Sequence, residues 1–198
     1  GYDGALLQSQ TWSGPVAGTV SYSYDNNFRW TTTNVNNNNP VVFQYDPDNL
    51  LTQAGALTLS YNPQNGLLTG STLDTITDTW TYNSFGEPAS YTAGSLFDVQ
   101  YTRDNLGRIV TKTETISGAT TAYGYGYDLA GRLTQVTKNS ATLATYTYDS
   151  NGNRLSYTGP GGTITGSYDN QDRPLHYGTT TYQYTANGEL ASKTIAGQ

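Results

Sequence analysis

Aromatic residues alternate with small polar residues along most of the chain, and each such run ends in a short segment rich in Asp, Asn and Gly. In residues 146–148 (Tyr-Thr-Tyr) the two aromatic side chains are two positions apart, so they lie on one face of a strand. Asp149 can bond to the backbone two residues on and start a turn, and Gly152 supplies the positive φ of a tight turn. Leu155 then opens a returning strand. The pattern predicts a β-hairpin with two strands of about seven residues each.

The same pattern recurs along nearly the whole chain. If the second aromatic of each unit is the marker, the separations are 16 to 24 residues and most are 20 or 21. Residues 2–6 resemble a further copy that is truncated at its start, within 1–21. We therefore predict a single all-β domain over 1–198, an array of about nine tandem β-hairpins forming a curved open β-strip. The units are centred near Tyr24, Tyr45, Tyr61, Tyr82, Arg103, Tyr127, Tyr148, Tyr168 and Tyr184.

The residues that define the repeat are paired tyrosines, turn-opening aspartates, turn glycines and the arginines that follow the turns. We expect tyrosine ladders across the strip, with about 0.2–1 kcal/mol for each cross-strand aromatic pair. Their predicted role is structural, and no catalytic, cofactor-binding or metal site is expected. These residues are Tyr22, Tyr24, Asp25, Tyr45, Asp46, Tyr61, Tyr82, Tyr101, Asp104, Gly107, Arg108, Tyr125, Tyr127, Asp128, Gly131, Arg132, Tyr146, Tyr148, Asp149, Gly152, Arg154, Tyr168, Asp169, Tyr182, Tyr184 and Gly188.

Composition narrows the possible partners. The net charge is -6 and the nine Lys and Arg are scattered, whereas nucleic-acid binding needs clustered cations. No apolar stretch approaches the roughly 18 residues of a membrane span, and no signal peptide is visible. The absence of Cys excludes disulfides and thiolate metal sites. We expect no nucleic-acid binding and no membrane insertion.

Three candidate chemical sites have simpler structural interpretations. His176 is the single histidine, without a second His or a Cys for a metal site, and we predict a surface residue. The run 149–153 (D-x-N-x-N) resembles the start of a calcium loop, but it lacks the downstream Glu and the flanking helices, so turn capping is expected. A glycosidase needs a distinct carboxylate pair, and no pair stands out. We predict that the chain is not an enzyme and binds no cofactor.

Two further features leave a choice between a binding role and a structural one. Arg108, Arg132, Arg154 and Arg173 recur just after the turns, where they can bind an anionic ligand. We expect that each instead pairs with a turn Asp or stacks on a Tyr face. The asparagine-rich stretch 34–40 is either a binding loop or a solvated turn between units, and we expect the turn.

The unit Y-x-Y-D-x-x-G-R/N-L resembles the YD repeat of the Rhs (rearrangement hotspot) family. The closest matches are residues 127–133 and 148–155, and the resemblance covers essentially the whole chain. This family includes bacterial Rhs proteins, the B and C components of Tc toxins, and the teneurins. The resemblance implies a β-strip that spirals into a hollow shell, which encloses a C-terminal toxin in some members and forms a cell-surface scaffold in others. The D-P-x-G segment of toxin members is not found here.

These expectations define a function and its context. We predict a non-catalytic shell segment of a secreted or cell-surface bacterial protein, with the rest of a shell and a toxin cargo as partners. About 18 strands at roughly 4.8 Å give a strip of about 86 Å, and a closed ring of that length is too narrow for a folded guest of about 13 Å radius of gyration. We therefore expect a partial turn of shell, excised or naturally short, which self-associates through strand edges.

The alternative function is a carbohydrate- or receptor-binding surface made of exposed Tyr and Trp, because aromatic platforms bind sugars. The three tryptophans are Trp12, Trp30 and Trp80. A change in their fluorescence on titration with oligosaccharides would distinguish this surface from a scaffold.

Overall fold

The computed structural model describes residues 1–196, and all their regular secondary structure is β. The chain forms two compact units, residues 1–98 and 99–198. In each unit, neighbouring strands pair antiparallel and follow one another in sequence. The predicted all-β array of tandem hairpins is confirmed.

Unit 1 begins with a small two-stranded hairpin, in which Tyr2 pairs with Leu7 and Asp3 with Leu6. These residues belong to the predicted truncated copy. Longer hairpins follow, with strands of 4 to 8 residues. The strands are β1 (Tyr2–Asp3), β2 (Leu6–Leu7), β3 (Ser9–Trp12), β4 (Gly18–Tyr24), β5 (Trp30–Val35), β6 (Asn38–Tyr45), β7 (Leu51–Ala54), β8 (Leu57–Tyr61), β9 (Leu68–Leu73), β10 (Ile76–Tyr82) and β11 (Pro88–Ala93).

Unit 2 repeats this arrangement. Strand β12 (Phe97–Arg103) spans the residues at which the two units divide, and the strands that follow are 4 to 9 residues long. They are β13 (Ile109–Ile116), β14 (Ala119–Tyr127), β15 (Leu133–Lys138), β16 (Ala141–Tyr148), β17 (Arg154–Gly159), β18 (Gly162–Tyr168), β19 (Pro174–Tyr177), β20 (Thr180–Tyr184) and β21 (Leu190–Ile195).

In the turn that follows each second aromatic, the hydrogen bonds that close the turn are made by the first residue of the turn. In the Asp104 turn, the backbone N–H of Asp104 donates to the carbonyl of Arg108, and the N–H of Gly107 donates to the carbonyl of Asp104, both at 3.0 Å. One carboxylate oxygen of Asp104 also accepts from the N–H groups of Leu106 (2.9 Å) and Arg108 (3.0 Å). The carboxylate therefore satisfies turn amides that have no strand partner, as the sequence pattern predicted.

The fourth position of these turns has a positive φ. Gly131, Gly152 and Gly188 take φ values of 81°, 95° and 89°, as the turn pattern required. Phe28 and Asp172 occupy the same position with φ of 61°, a conformation that is unfavourable for residues with a Cβ. The turn geometry is therefore imposed even where glycine is missing.

Each returning strand carries one extra residue directly opposite the second aromatic. Gly126 pairs with Gln135 and Tyr127 with Leu133, so Thr134 has no partner on β14. The same shift precedes the marker tyrosine in seven other hairpins, four in unit 1 and three in unit 2. Such a β-bulge bends the strand and increases its local twist.

Most turns at the opposite ends of the strands contain only two residues. Asn139 and Ser140 take φ of 49° and 67° between β15 and β16, which is the geometry of a primed hairpin turn. In the stretch 34–40, only residues 36 and 37 form the turn, and the rest lies in β5 and β6. The expected solvated turn therefore forms here, and it is only two residues long because Asn tolerates the left-handed conformation.

Little of the chain is fully buried. Within residues 1–196, Val99 and Ala144 are the only hydrophobic side chains that are almost inaccessible, at 4% and 6% exposed, and no polar or charged residue is buried. The paired aromatics are half-buried on one face, while the residue between them is exposed. The folded state therefore depends on contacts between neighbouring strands more than on a thick core.

We predict that Phe28→Gly raises the free energy of unfolding by roughly 0.5–1 kcal/mol. The change relieves the left-handed strain, which outweighs the extra entropy that glycine gives the unfolded chain. Little packing is lost, because Phe28 is 71% exposed. Urea unfolding followed by circular dichroism measures this difference.

Gly131→Ala is the matched control, because it places a Cβ at the same turn position at φ of 81°. Its expected effect has the opposite sign, a loss of about 1 kcal/mol, because alanine at a positive φ is strained. If Phe28→Gly is destabilising, the proposed strain at this turn position is refuted.

Candidate functional site: contacts between neighbouring hairpins

The marker tyrosine of each hairpin donates a hydrogen bond to the main chain of the preceding hairpin. The hydroxyl of Tyr148 donates to the carbonyl of Leu133 at 2.8 Å, for example, and Leu133 is the residue that pairs with the preceding marker, Tyr127. The donor–acceptor distances in the full set are 2.8 to 3.1 Å. The eight bonds run from Tyr24 to Leu7, Tyr45 to Trp30, Tyr61 to Leu51 and Tyr82 to Leu68 in unit 1, and from Tyr127 to Ile109, Tyr148 to Leu133, Tyr168 to Arg154 and Tyr184 to Pro174 in unit 2.

An arginine joins the turn of one hairpin to the marker tyrosine of the next. Arg132 pairs with Asp128 of its own turn at 2.7 Å, and its guanidinium lies 4.8 Å from the ring centre of Tyr148. Its terminal nitrogen also donates to the carbonyl of Asp149 in the following turn at 2.6 Å. Three further sets repeat the ion pair and the ring contact: Asp25, Arg29 and Tyr45; Asp104, Arg108 and Tyr127; and Asp169, Arg173 and Tyr184.

The two structural contacts expected for the turn arginines, pairing with a turn Asp and stacking on a Tyr ring, thus occur together. The aspartate fixes the guanidinium, and the fixed guanidinium covers the ring of the next hairpin. A cation above an exposed aromatic face contributes about 0.5–1 kcal/mol, and a hydroxyl-to-carbonyl hydrogen bond adds about 0.5–1.5 kcal/mol. Each junction is therefore held by several modest contacts.

These contacts lower the pKa of the turn aspartates. At Asp104 and Asp169 the main cause is the hydrogen bond from the arginine side chain, and at Asp128 it is the backbone N–H of Arg132. The pKa of Asp149 is lowered chiefly by the side-chain amide of Asn153. In each case the contacts stabilise the charged carboxylate.

Some repeat positions depart from this pattern. Asp46 caps its turn through the N–H groups of Asp48 and Leu50, and Leu50 stands where other turns have arginine. Arg103 stands at a marker position, and its guanidinium lies 5.9 Å from the ring centre of Tyr101. Arg154 is displaced by one position from the other arginines, because Asn153 takes the place opposite the aspartate.

The first tyrosine of each pair makes different contacts from the second. Tyr22 stacks on Trp30 with ring centres 5.7 Å apart, and Tyr146 lies 5.4 Å from Tyr157 across the β16–β17 pair. Tyr101 and Tyr125 line a cavity of about 270 Å³, which also contains Ile109, Lys112, Tyr127 and Leu133. Lys112 in this cavity is already paired with Glu114.

The sequence did not predict the acceptors of the marker hydroxyls, because they are backbone carbonyls. One compositional feature pointed to them: the chain has 18 Tyr and 4 Phe. Packing alone does not require a hydroxyl, so this excess of Tyr over Phe indicates that the hydroxyl has a partner. The ion pair of Lys112 with Glu114 was also missed, since two-residue spacing along a strand is common by chance.

Residues 1–196 contain no group of three or more His, Asp or Glu placed to hold a metal ion. His176 is exposed on β19. Asp149 accepts hydrogen bonds from the N–H groups of Asn151 and Asn153, which is turn capping. None of the described segments is a helix long and apolar enough to cross a membrane.

We predict that Tyr148→Phe lowers the free energy of unfolding by about 0.5–1.5 kcal/mol, because the carbonyl of Leu133 loses its hydrogen bond. Tyr146→Phe, two residues earlier on the same strand, is the control, since its hydroxyl has no hydrogen-bond partner within residues 1–196. Its expected change is less than about 0.5 kcal/mol. Equal effects of the two substitutions on urea unfolding would show that the hydroxyl bond does not contribute.

We also expect stability to fall in acid. A lowered pKa means that the folded state binds fewer protons than the unfolded chain, so the contribution is complete above the unfolded value of about 4 and is lost as the pH falls through the folded pKa. Asp104→Asn keeps an acceptor for the turn amides but removes the charge opposite Arg108. This variant should show a smaller loss of stability between about pH 5 and pH 2.

Asp48→Asn makes the same charge change at a side chain that accepts no hydrogen bond within the described residues. The loss of stability of this variant in acid should therefore match that of the unmodified chain. Urea unfolding at a series of pH values measures both. An Asp104→Asn curve that parallels the unmodified one would refute the assigned role of the ion pair.

Comparison with known proteins agrees with this architecture. The family model described as the teneurin YD-shell matches residues 1–196. Human teneurin-4 is 32% identical over 207 aligned residues, which cover 96% of this chain, and zebrafish (Danio rerio) teneurin-3 is 31% identical, with 91% covered. The chain spans 7% of the length of these curated relatives.

Solved structures show the same fold. The crystal structure of TcdB2-TccC3 without its hypervariable C-terminal region matches with a TM-score of 0.67 and 15% identity, over 98% of this chain and 14% of that chain. The Tc holotoxin pore of Photorhabdus luminescens matches with a TM-score of 0.66 and 14% identity, again over 98% and 14%. Tandem hairpins with YD turns, a family model that matches residues 1–196, and relatives at 31–32% identity together show that the chain belongs to the teneurin YD-shell family, as the resemblance to YD-repeat proteins predicted.

Proposed function

We propose that the chain is a non-catalytic structural segment of a YD-repeat shell. The observation that carries this proposal is the set of junction contacts: the repeated Tyr, Asp and Arg side chains bind neighbouring hairpins of the same unit. Residues that are conspicuous in the sequence are thus engaged in assembly of the sheet. The family relation supports a shell role, since the matching family model is that of a shell domain.

The repeat residues act together in this proposal. The turn aspartates shape the hairpins and orient the arginines, and the marker tyrosines join each hairpin to the one before it. Each hairpin needs a neighbour, because an isolated two-stranded hairpin is marginally stable in water. The chain then behaves as a linear array in which each unit stabilises the next, and the whole of 1–198 is a single YD-repeat array.

The wider context follows from the relatives and is part of the same proposal. The shell is of the kind that encloses a C-terminal toxin or forms a cell-surface scaffold, and the protein is secreted or located at the cell surface. The solved relatives include TcdB2-TccC3 and a Tc holotoxin. The partners are other parts of the shell and a toxin cargo. A bacterial origin and self-association through strand edges stay predictions.

A chimera tests the shell role directly. Residues 1–198 replace the aligned segment of the human teneurin-4 YD shell, to which they are 32% identical. We expect the chimera to be secreted and to form protease-resistant particles of the same size as the parent in negative-stain electron microscopy. The physical reason is that the junction bonds end on main-chain carbonyls, which the host shell also offers.

The control is the same chimera with Tyr127→Phe and Tyr148→Phe, which removes two junction bonds without changing a charge. It should form fewer particles, with higher sensitivity to protease. A chimera that aggregates or degrades while the parent shell assembles under the same conditions contradicts the proposal.

A carbohydrate-binding surface is the second candidate, and one observation in unit 2 favours it. The guanidinium of Arg154 lies in a groove lined by tyrosines and has no hydrogen-bond partner within residues 1–196. In this respect it differs from Arg29, Arg108, Arg132 and Arg173, which are all paired with aspartates.

A further inference from the structure

Arg154 differs from the other turn arginines because of the asparagine that precedes it. The side-chain amide of Asn153 donates to Asp149 at 2.9 Å and to Asp172 at 2.6 Å. It therefore makes the contact with the turn aspartate that arginine makes in other turns. Arg154 is thereby moved to the first position of β17, where it pairs with Tyr148. Its charge is not required by the turn.

The guanidinium of Arg154 is held over an aromatic ring but is otherwise uncommitted. It lies 4.9 Å from the ring centre of Tyr177 on β19. No carboxylate or carbonyl within the described residues accepts a hydrogen bond from it, and the residue is exposed. A guanidinium has five N–H donors in a planar fork, so this one can receive an anionic ligand from solvent.

The surroundings of Arg154 form a groove of about 400 Å³, within the range of roughly 300–1,000 Å³ found for small-ligand sites. No carboxylate lines it. Two of the lining residues approach Gly166 closely, since a Cβ at that position would lie 2.8 Å from the carbonyl of Arg154 and 3.1 Å from the ring of Tyr177. The lining residues are Tyr148, Arg154, Tyr168, Pro174, Tyr177 and Tyr182.

The four tyrosine hydroxyls of the groove fall into two kinds. Those of Tyr148 and Tyr168 are used in the junction bonds described above. Those of Tyr177 and Tyr182 make no hydrogen bond to any residue of the described chain, although both rings are half-buried. Two hydroxyls that both donate and accept therefore stand beside one unpaired guanidinium.

We propose that this groove binds a carboxylate-bearing sugar, a uronic or sialic acid residue of a glycan. The planar guanidinium of Arg154 pairs bidentately with the carboxylate. The ring of Tyr182 packs against the C–H face of the pyranose, and the free hydroxyls exchange hydrogen bonds with the sugar hydroxyls. This inference deepens the second candidate function and is independent of the shell role.

Other anions fit this groove less well. Inorganic phosphate satisfies the guanidinium and can accept hydrogen bonds from the hydroxyls, but it has no apolar face to pack against the tyrosine rings. A neutral sugar uses the rings and hydroxyls but leaves the guanidinium unpaired. The cavity at Lys112 offers a similar aromatic lining, yet its cation is already paired with Glu114. The groove at Arg154 combines an unpaired cation with two unpaired hydroxyls, as judged within residues 1–196.

Saturation-transfer difference NMR on the intact 198-residue chain tests the site, with methyl β-D-glucuronide and methyl N-acetylneuraminide as probes. We expect saturation transfer to the ring protons of at least one of them. Methyl β-D-glucoside should bind about tenfold more weakly or not at all, because a charge-assisted bidentate contact is lost. Inorganic phosphate at equal concentration should not displace the bound sugar.

Three variants locate the binding. Arg154→Gln should weaken it at least about tenfold, and Tyr177→Phe should weaken it several-fold by removing one free hydroxyl. Lys138→Gln makes the same charge change as Arg154→Gln on an exposed residue that does not line the groove, so it should have no effect. Circular dichroism of each variant reports whether the sheet is intact.

The outcomes are separable. No saturation transfer from either acidic sugar, equal binding of the glucoside, displacement by phosphate, or unchanged binding in a folded Arg154→Gln variant would each overturn the proposal. None of these results affects the shell role. The Arg154→Gln substitution changes only the side chain, so the backbone carbonyl of residue 154 still accepts the hydrogen bond from the Tyr168 hydroxyl. Failure of the chimera, in turn, leaves the sugar result intact.

Discussion

The structure depends on one interaction, the hydrogen bond from a marker tyrosine to the main chain of the hairpin before it. Only two hydrophobic side chains within residues 1–196 are almost fully buried, so a thick core does not supply the cohesion. The tyrosine ring covers apolar surface on one face of the sheet while its hydroxyl satisfies a carbonyl. This carbonyl belongs to the strand that carries the bulge, as at Leu133. The bond therefore joins hairpins at the point where their regular ladder is interrupted.

The turns serve this interaction. An aspartate at the start of the turn holds its own amides and orients an arginine, and the arginine then covers the next marker ring. Where another residue replaces the arginine, that residue can make only one of the arginine's two contacts. Asn153 keeps the contact with the turn aspartate but cannot cover a ring. The displaced Arg154 is then free to face solvent, so a small change in one turn gives a scaffold position a chemistry of its own.

Much of the fold was accessible from sequence, since alternation, turn residues and the repeat all express local rules. The hairpins, the glycine turns and the family relation were predicted correctly from segments such as 146–155. The bulge at Thr134 was not, because an extra residue in a returning strand leaves the alternation almost unchanged. The acceptors of the tyrosine hydroxyls have no sequence identity, since any residue provides a carbonyl. The strained turn at Phe28 was missed because the turn forms there without the expected glycine.

The carbonyl acceptors differ widely in side chain: Leu, Trp, Ile, Arg and Pro all appear at the equivalent position. The acceptor in each of these eight bonds does not depend on the identity of its side chain, whereas the donor is tyrosine in all eight. Hairpins joined in this way are interchangeable parts. Duplication, deletion or exchange of whole repeats therefore leaves a hydroxyl donor and a carbonyl acceptor at the new junction. A chain joined in this way is suited to growth by the addition of repeats, and solved structures that share only 14–15% identity with it have the same fold.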